Sequence, residues 1–411
     1  MLLKLLHFYF FLTLTAGFVI GVIVASYSLS QGFIRQDDSG IHEEETQFTN
    51  STSNVASTVL NESLGFEPST FDVAAAAWNE SLGFGEILYV SMPERTDRQD
   101  AMNLLASMSG LKLRLINGVD GESMSLKAIP DTDDSKWGPI RPTELGCWRA
   151  HADAWRYVID SNMETVLIIE DDIDWDKNIH QVFQDLSLQM QNNTLRLVPP
   201  TDHERTSAPY GLDWDVLIMG QCHDEAHPQR HDLVQIYDDP NVPSMADTEQ
   251  IFLKQMHAFG LRANNVGKKR LLSPAYGPFC TMGYAVTRRG AQRLLLNLGY
   301  LSLRGPVDMD MMWKLQEGKL RGYSVTPPLL SAWRVGGQKD SDNKHDSKLS
   351  VSGKGNEGGW SRNIKNSARI EMVKELAMDN WQDYYRRTGS EKEMEKGKNG
   401  QQAEGNGTEG V

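Results

Sequence analysis

From Gly85 onward, short apolar runs alternate with amphipathic stretches, and that alternation predicts the elements of the chain. Ile87-Leu88-Tyr89-Val90 reads as a strand. Thr96 then caps a helix with Ala101, Leu104, Leu105 and Met108 on its core face and Gly110 at its end. Leu111 to Ile116 reads as a second strand, and a helix follows Pro142-Thr143 and runs to about Ile159. Thr165-Val166-Leu167-Ile168-Ile169 is β-branched, short and unbroken, the pattern of a strand buried on both faces. Asp215 to Met219 is another strand, and Tyr284-Ala285-Val286 leads into a helix capped by Thr287 and closed by Gly299. Strands alternating with helices predict an α/β sandwich on a largely parallel sheet. The stretch from Pro199 to about Ser273 is poorer in pattern and reads as loops. After a polar, glycine-rich run from Ser341 to Trp360, the residues Ile370, Val373, Ala377, Trp381 and Tyr384 fall at helical spacing, on a helix expected to pack on the same domain.

The first 84 residues follow another pattern. Leu5 to Tyr27 is 23 residues without a charged side chain, long enough to span a bilayer as a helix. Lys4 and the terminal amine precede it, while Arg35, Asp37 and Asp38 follow. The positive-inside rule therefore predicts a single-pass type II signal-anchor over residues 1–27, with the remainder lumenal. Ala25-Ser26-Tyr27-Ser28 leaves a cleaved signal peptide as the alternative. Between Gln36 and Phe84 there are nine acids and no Lys or Arg, so residues 28–84 read as a solvated stem. Within it Asn-Glu-Ser-Leu-Gly-Phe occurs twice, at 61–66 and 79–84, too few copies for a solenoid. Asn50, Asn61, Asn79, Asn192 and Asn406 each open a glycosylation triplet, three of them in the stem. The folded domain is expected over 85–389, and a charged, glycine-rich, disordered tail over 390–411. With no retention tetrapeptide at Glu409-Gly410-Val411, the Golgi is expected ahead of the endoplasmic reticulum.

Composition narrows this picture. The 411 residues are 40% hydrophobic, enough for one large core or two smaller ones. A net charge of −14 argues against nucleic acid as a partner. Three cysteines, Cys147, Cys222 and Cys280, allow one disulfide and leave a thiol, with the pairing open.

The chemistry concentrates where Glu170-Asp171-Asp172 follows the fully apolar strand. Ligands of open α/β sheets bind beyond the carboxyl ends of the strands. Three acids there repel one another unless a cation joins them, and a divalent metal held by one or two carboxylates and substrate phosphates is the usual one. Glu170 and Asp172 project to the same side if the extended conformation continues. Cys147, His151 and Trp155 share one helical face, which reads as packing, with acceptor-site duty as the alternative, since the rest of a zinc shell is absent. His223, His227 and His231 are the candidates for a phosphohydrolase site, but Pro228 interrupts their stretch and loop solvation is the simpler reading.

Six landmarks stand in order: Ile87 to Arg98 (ILYVSMPERTDR), Asn117 to Gly121 (NGVDG), Glu144 to His151 (ELGCWRAH), Trp214 to Gly220 (WDVLIMG), Gly283 to Ala291 (GYAVTRRGA), and Pro306-Val307-Asp308. Together they resemble glycosyltransferase family 25, over about Gly85 to Asp342. The resemblance implies a GT-A-like α/β fold, a nucleotide-sugar donor (galactose from UDP-galactose first) and inversion at the sugar carbon. It implies Mn²⁺ or Mg²⁺ and donor diphosphate at Asp172, supported by Glu170 or Asp171. Arg95 and Arg98 match the family's basic residues after its first strand and suit phosphate or uridine oxygens. Met92 and Ala150 depart from the family's usual Leu and Ser. Asp120 either contacts ribose or base or caps the following turn. Asp308 is the expected general base for the acceptor hydroxyl, with Asp310 beside it as a second catalytic carboxylate or metal ligand. Gln338, Ser341 and Asp342 resemble the family's closing pattern. The acceptor is a glycan, a protein or a lipid-linked sugar. The rival expectation is a lumenal binding or adhesion module of the same fold without catalysis.

Overall fold

Side chains of the strand that ends in the acids alternate between two buried faces. In β3 (Thr165–Glu170) Val166 and Ile168 face one helical layer while Leu167 and Ile169 face the other. A run with no polar position is what two covered faces require. A computed structural model describes residues 79–132, 138–335 and 359–377. β3 sits inside an eight-stranded sheet with β1 (Ile87–Ser91), β2 (Leu113–Asn117), β5 (Val216–Gly220), β6 (Gln235–Asp238), β7 (Lys269–Pro274), β8 (Gly283–Thr287) and β9 (Gly322–Thr326). Their order is β2-β1-β3-β8-β5-β9-β7-β6. Six strands point one way and β7 and β8 run against them, a mixed, Rossmann-like α/β sheet that is mostly parallel in direction. A second, two-stranded sheet pairs β4 (Ile173–Trp175) with β10 (Leu330–Ala332).

Helices α1 (Thr96–Met108) and α3 (Ile179–Gln191) cover one face of the large sheet. The other carries α2 (Pro142–Asp160), α6 (Arg288–Leu295) and α7 (Val307–Gln316). Three shorter helices follow the chain around this core: α4 (Asp202–Ser207), α5 (Gln250–Ala258) and α8 (Ala368–Leu376). Gly121 and Gly146 let the loop after β2 press on the first turns of α2. A Cβ on Gly146 would lie 2.1 Å from the carbonyl oxygen of Val119.

Several expectations shift. Thr96 is the first helical residue and makes no cap; α1 buries Met102, Leu105 and Ala106, and Leu104 is exposed. The buried stripe continues one turn back to Arg98, so the face that turns inward is the one that carries a guanidinium to the acids. Thr287 does cap α6, accepting from the Gly290 amide at 2.9 Å, but the helix passes Gly299 in a wide turn over Leu296–Leu301. The segment from Pro199 to Ser273 contains, besides the expected strand β5, also α4, β6, α5 and β7 where loops were expected. β6 is a four-residue edge strand with half its positions exposed, so it lacks the apolar run that marks a central strand. In α8 the expected face fails: Ile370 and Val373 are exposed, and Ala368 and Arg369 are buried. Cys222 and Cys280 form the disulfide and Cys147 is the thiol.

The second copy of the repeated hexapeptide, assigned above to the stem, packs into the core. Asn79 Oδ1 accepts from the amides of Ser81 and Gly83, folding a turn that buries Leu82 and Phe84. The Phe84 ring stacks on Tyr210 at 4.3 Å and meets Phe183 edge-on. Folded sequence is thus already present at Asn79. The first copy, the expected span at 5–27, the triplets at Asn50, Asn61 and Asn406, Trp381, Tyr384, the tail, and Gln338, Ser341 and Asp342 lie outside the described residues. Among the described residues no helix is long and apolar enough to cross a membrane.

Phe84→Ala should lower stability to denaturant by about 3–5 kcal/mol, because it opens a cavity between two aromatic rings. An unchanged unfolding midpoint would show that this turn belongs to a solvated stem after all.

Candidate active site

The site grows from the place where β3 stops. Glu170 continues the face of Val166 and Ile168 and so turns toward α2 and β8. Its Oε1 accepts from Thr281 Oγ1 at 2.7 Å, and His151 Nε2 stands 3.9 Å away. Asp171 turns to the opposite face, where Ser91 Oγ donates to it at 2.6 Å and Arg98 Nη1 at 2.7 Å. Asp172 lies in the turn after the strand, 3.7 Å from Arg98 Nη2 and 3.9 Å from Arg334 Nη1. Arg98 therefore bridges two of the three acids.

Behind the turn, buried Arg369 donates through Nε to the Ile173 carbonyl at 2.7 Å. Asp174 accepts from Ser361 Oγ at 2.7 Å and Ser367 Oγ at 2.5 Å, tying the start of α8 beneath the acids. Asp308, in the first turn of α7, accepts the Cys280 amide on Oδ2 at 3.0 Å and the Met309 amide on Oδ1 at 2.9 Å. Cys280 has φ +66° and is bonded to Cys222, so the backbone that presents this amide is fixed covalently to the end of β5.

Like charge and burial dominate the electrostatics. Burial first, then the charge of Asp172, pushes the Glu170 carboxyl up to about 8, against the Thr281 hydrogen bond; Asp171 and Asp308 add to the rise. Burial likewise raises Asp172, although Arg98 and Arg334 pull it down. Such a pair favours protons or a cation between its members.

The structure brings Arg98, Glu170, Asp171, Asp172 and Asp308 to one edge of the sheet. Of the other expected residues, Arg95 and Asp120 follow β1 and β2 at the same edge but each is engaged with a neighbour of its own, and Asp310 is turned inward. Arg95 pairs with Asp97 at 2.9 Å. Asp120 caps the following turn by accepting from the Glu122 amide, the second of its two readings. Asp310 is fully buried and bonded to Arg304 at 2.9 Å, with Lys314 3.8 Å away, so its charge is spent inside α7's anchorage. His223, His227 and His231 each meet a different ring, Phe279, Tyr276 and Phe259. His151 and Trp155 are buried in the core as expected.

Ser91, Thr281, Arg334 and Arg369 were not found from sequence. Ser91 had a faint signal, since it ends the strand paired beside β3; Val90 lies opposite Glu170. The other three reach the acids only through long-range topology. Among the described residues no group of three or more His, Cys, Asp or Glu side chains converges as a metal cage.

Residues 84–208 match the model of glycosyltransferase family 25 (LPS biosynthesis protein). The chain is 21% identical over 219 residues to procollagen galactosyltransferase 1 of Danio rerio, covering 51% of this chain and 28% of the relative. It is 25% identical over 145 residues to human procollagen galactosyltransferase 2, covering 33% and 20%. It is also 25% identical over 161 residues to the human inactive glycosyltransferase 25 family member 3, covering 36% and 24%. The matched stretch thus spans about a quarter of the length of these relatives.

A raised carboxyl costs stability as the pH rises: the unfolded chain loses this proton near its ordinary value, and the folded chain holds it until about 8. Glu170→Gln keeps an acceptor for Thr281 and removes the titration. In metal-free protein its gain in melting temperature should grow from pH 5 to pH 8 and then level off. A gain that is the same at pH 5 and pH 8 would contradict the raised carboxyl.

Proposed function

We propose that this chain, which belongs to glycosyltransferase family 25, transfers a sugar from a nucleotide-sugar donor to a hydroxyl acceptor with inversion at the sugar carbon. The observation that carries the reading is the acid turn Glu170–Asp172 at the carboxyl edge of the sheet, with two arginines on it and Asp308 near enough for its charge to bear on Glu170. That is the edge at which open α/β sheets bind nucleotides, and a GT-A-like domain would hold its donor there. Galactose from UDP-galactose is the first donor to test, because relatives are named procollagen galactosyltransferases. The acceptor is a glycan, a protein or a lipid-linked sugar. The long uncharged run at 5–27 supports anchorage as a type II protein of the Golgi membrane, with the endoplasmic reticulum second.

Asp172 and Glu170 fit a hard divalent ion. Both are oxygen donors whose affinity for protons is raised, by burial first and by neighbouring carboxylates after it, and two carboxylates are enough where a diphosphate completes the shell. Mn²⁺ or Mg²⁺ held there would neutralise the charge that grows on the leaving nucleoside diphosphate. Arg98 orients Asp171 and Asp172 from beneath, and Arg334, partly exposed, is available to phosphate oxygens. Asp308 would take the proton of the acceptor hydroxyl as the sugar carbon is attacked. Its two backbone donors hold the carboxylate aimed. Asp310 is kept as an anchor of α7 through Arg304, and Arg95 and Asp120, which follow β1 and β2 at the same edge, remain the further candidates for donor contacts.

A second reading, a binding module without catalysis, is favoured by two observations. Arg98 already shares Asp171 and Asp172, and some of the relatives the chain matches are named inactive. The two readings separate in one experiment on the full chain, following UDP release from a panel of UDP-sugars with and without Mn²⁺. The transferase should turn over one donor in a metal-dependent way. Asp308→Asn should lower kcat by about 10²–10⁴-fold with donor KM little changed, and Asp172→Ala should abolish both metal dependence and turnover. Donor binding without turnover across a broad acceptor panel selects the binding module, and no donor binding by folded protein removes both.

A further inference from the structure

Deep in the layer between α2 and the sheet, three side chains meet on one hydroxyl. Trp155 Nε1 lies 2.8 Å from Tyr284 Oη, and His151 Nδ1 lies 2.9 Å from the same oxygen. All three residues are buried. Indole nitrogen is a donor and nothing else, so the Tyr284 oxygen accepts from Trp155. The hydroxyl must then place its own proton. Among the described residues the acceptor within reach is His151 Nδ1; the Cys147 thiol, one turn earlier on α2, is a far weaker acceptor than an imidazole nitrogen. Were Nδ1 itself protonated, a buried hydroxyl proton would be left without a partner, at the cost of its desolvation. The direction of the whole chain is therefore set by the tryptophan: Trp155 donates to Tyr284, Tyr284 donates to His151 Nδ1, and the remaining imidazole proton sits on Nε2.

That proton faces the acid turn. His151 Nε2 is 3.9 Å from Glu170 Oε1, longer than a hydrogen bond but with the imidazole N–H facing the carboxyl oxygen. The same Oε1 accepts from Thr281 Oγ1 at 2.7 Å. Two donors thus address one oxygen of Glu170, and no hydrogen bond among the described residues is made to the other. We propose that His151 is a positioning residue for Glu170, locked as the Nε2–H tautomer by the Trp155–Tyr284 pair, so that Oε1 is held toward the protein and Oε2 is left for the ligand. The role rests on the reading that Glu170 serves a divalent ion and donor diphosphate. The arrangement has the form of an outer partner that fixes the orientation of a ligand carboxylate. It also gives a physical reason for a histidine placed in the layer between α2 and the sheet, with one nitrogen on Tyr284 and the other toward Glu170.

The tautomer can be read without any assay of transfer. In full chain labelled with ¹⁵N-histidine, the His151 resonances are identified by their loss in His151→Gln, and long-range ¹H–¹⁵N spectra at neutral pH should show Nε2 protonated and Nδ1 bare. Tyr284→Phe, which keeps the ring and removes the hydroxyl, should release that preference. Titration of Mn²⁺ into the same proteins supplies the second readout. Tyr284→Phe and His151→Leu should weaken Mn²⁺ about 10- to 100-fold, whereas His151→Gln, which retains an N–H near the Nε2 position, should keep most of the affinity. A ring protonated at Nδ1, or on both nitrogens, overturns the relay. Unchanged Mn²⁺ affinity in both Tyr284→Phe and His151→Leu overturns the positioning role. If the unaltered protein binds no Mn²⁺, the donor-site reading fails and takes the positioning role with it, and the tautomer spectrum still decides the relay on its own.

Discussion

The rest of the structure is organised around one unfavourable act, the gathering of three carboxylates at the buried end of a central strand. Glu170, Asp171 and Asp172 gain nothing from one another, and each is met by a donor drawn from a different part of the chain. Ser91 and Arg98 come from the first strand and helix, Thr281 from the approach to β8, Arg334 from beyond β10. The alternation of the strand divides the labour. Glu170 is addressed from the α2 side, Asp171 from the α1 side, and Asp172 lies in the turn between. Removing one partner leaves a buried charge uncompensated, which costs far more than the contact contributes. The site is therefore coupled to both helical layers, although no single element contributes more than a few of its groups.

Strand direction makes that convergence possible. In an all-parallel sheet every connection leaves the carboxyl edge and returns by a crossover, so approaches to a strand lie at the opposite edge. Reversal of β8 brings the start of a strand to the edge where β1, β3 and β5 end. Thr281 and Cys280 precede β8 by a few residues and so arrive at the acids with short, stiff backbone behind them. The disulfide from Cys280 to Cys222 then ties that approach to the exit of β5, and the Cys280 amide reaches Asp308 on α7. The mixed sheet is thus a condition of the site.

What the sequence revealed and what it hid divide along the same line. β3 and its acids were legible because a doubly buried strand has a composition of its own, and α2 because its nineteen residues open on a proline and carry a clear amphipathic pattern. The capping role of Thr287 was legible from local chemistry alone. α1 was found but rotated, because its inward face includes Arg98, and a hydrophobic pattern has no place for a buried cation. Asp310 was misassigned for the converse reason. A carboxylate two residues from Asp308 looks equivalent in sequence, but the helix turns it about 200° away, into Arg304. β6 escaped notice because an edge strand needs little apolar surface, and the hexapeptide at 79–84 because its composition matches that of the acidic segment before it.

The same reasoning gives the buried polar groups of α2 a purpose that packing alone does not. A core position between α2 and the sheet would be filled more cheaply by leucine than by His151, whose polar nitrogens carry a cost of burial. The histidine persists there with one nitrogen accepting from a tyrosine that is itself held by a tryptophan, and the other directed at the carboxylate where β3 ends. Each member of the series constrains the next, and the first is a residue with a single possible hydrogen-bonding role. Such a chain carries orientation from the helix layer into the site without moving any charge. It accounts for three large polar side chains in one core layer by a single requirement, that the last oxygen before the open edge of the sheet point one way.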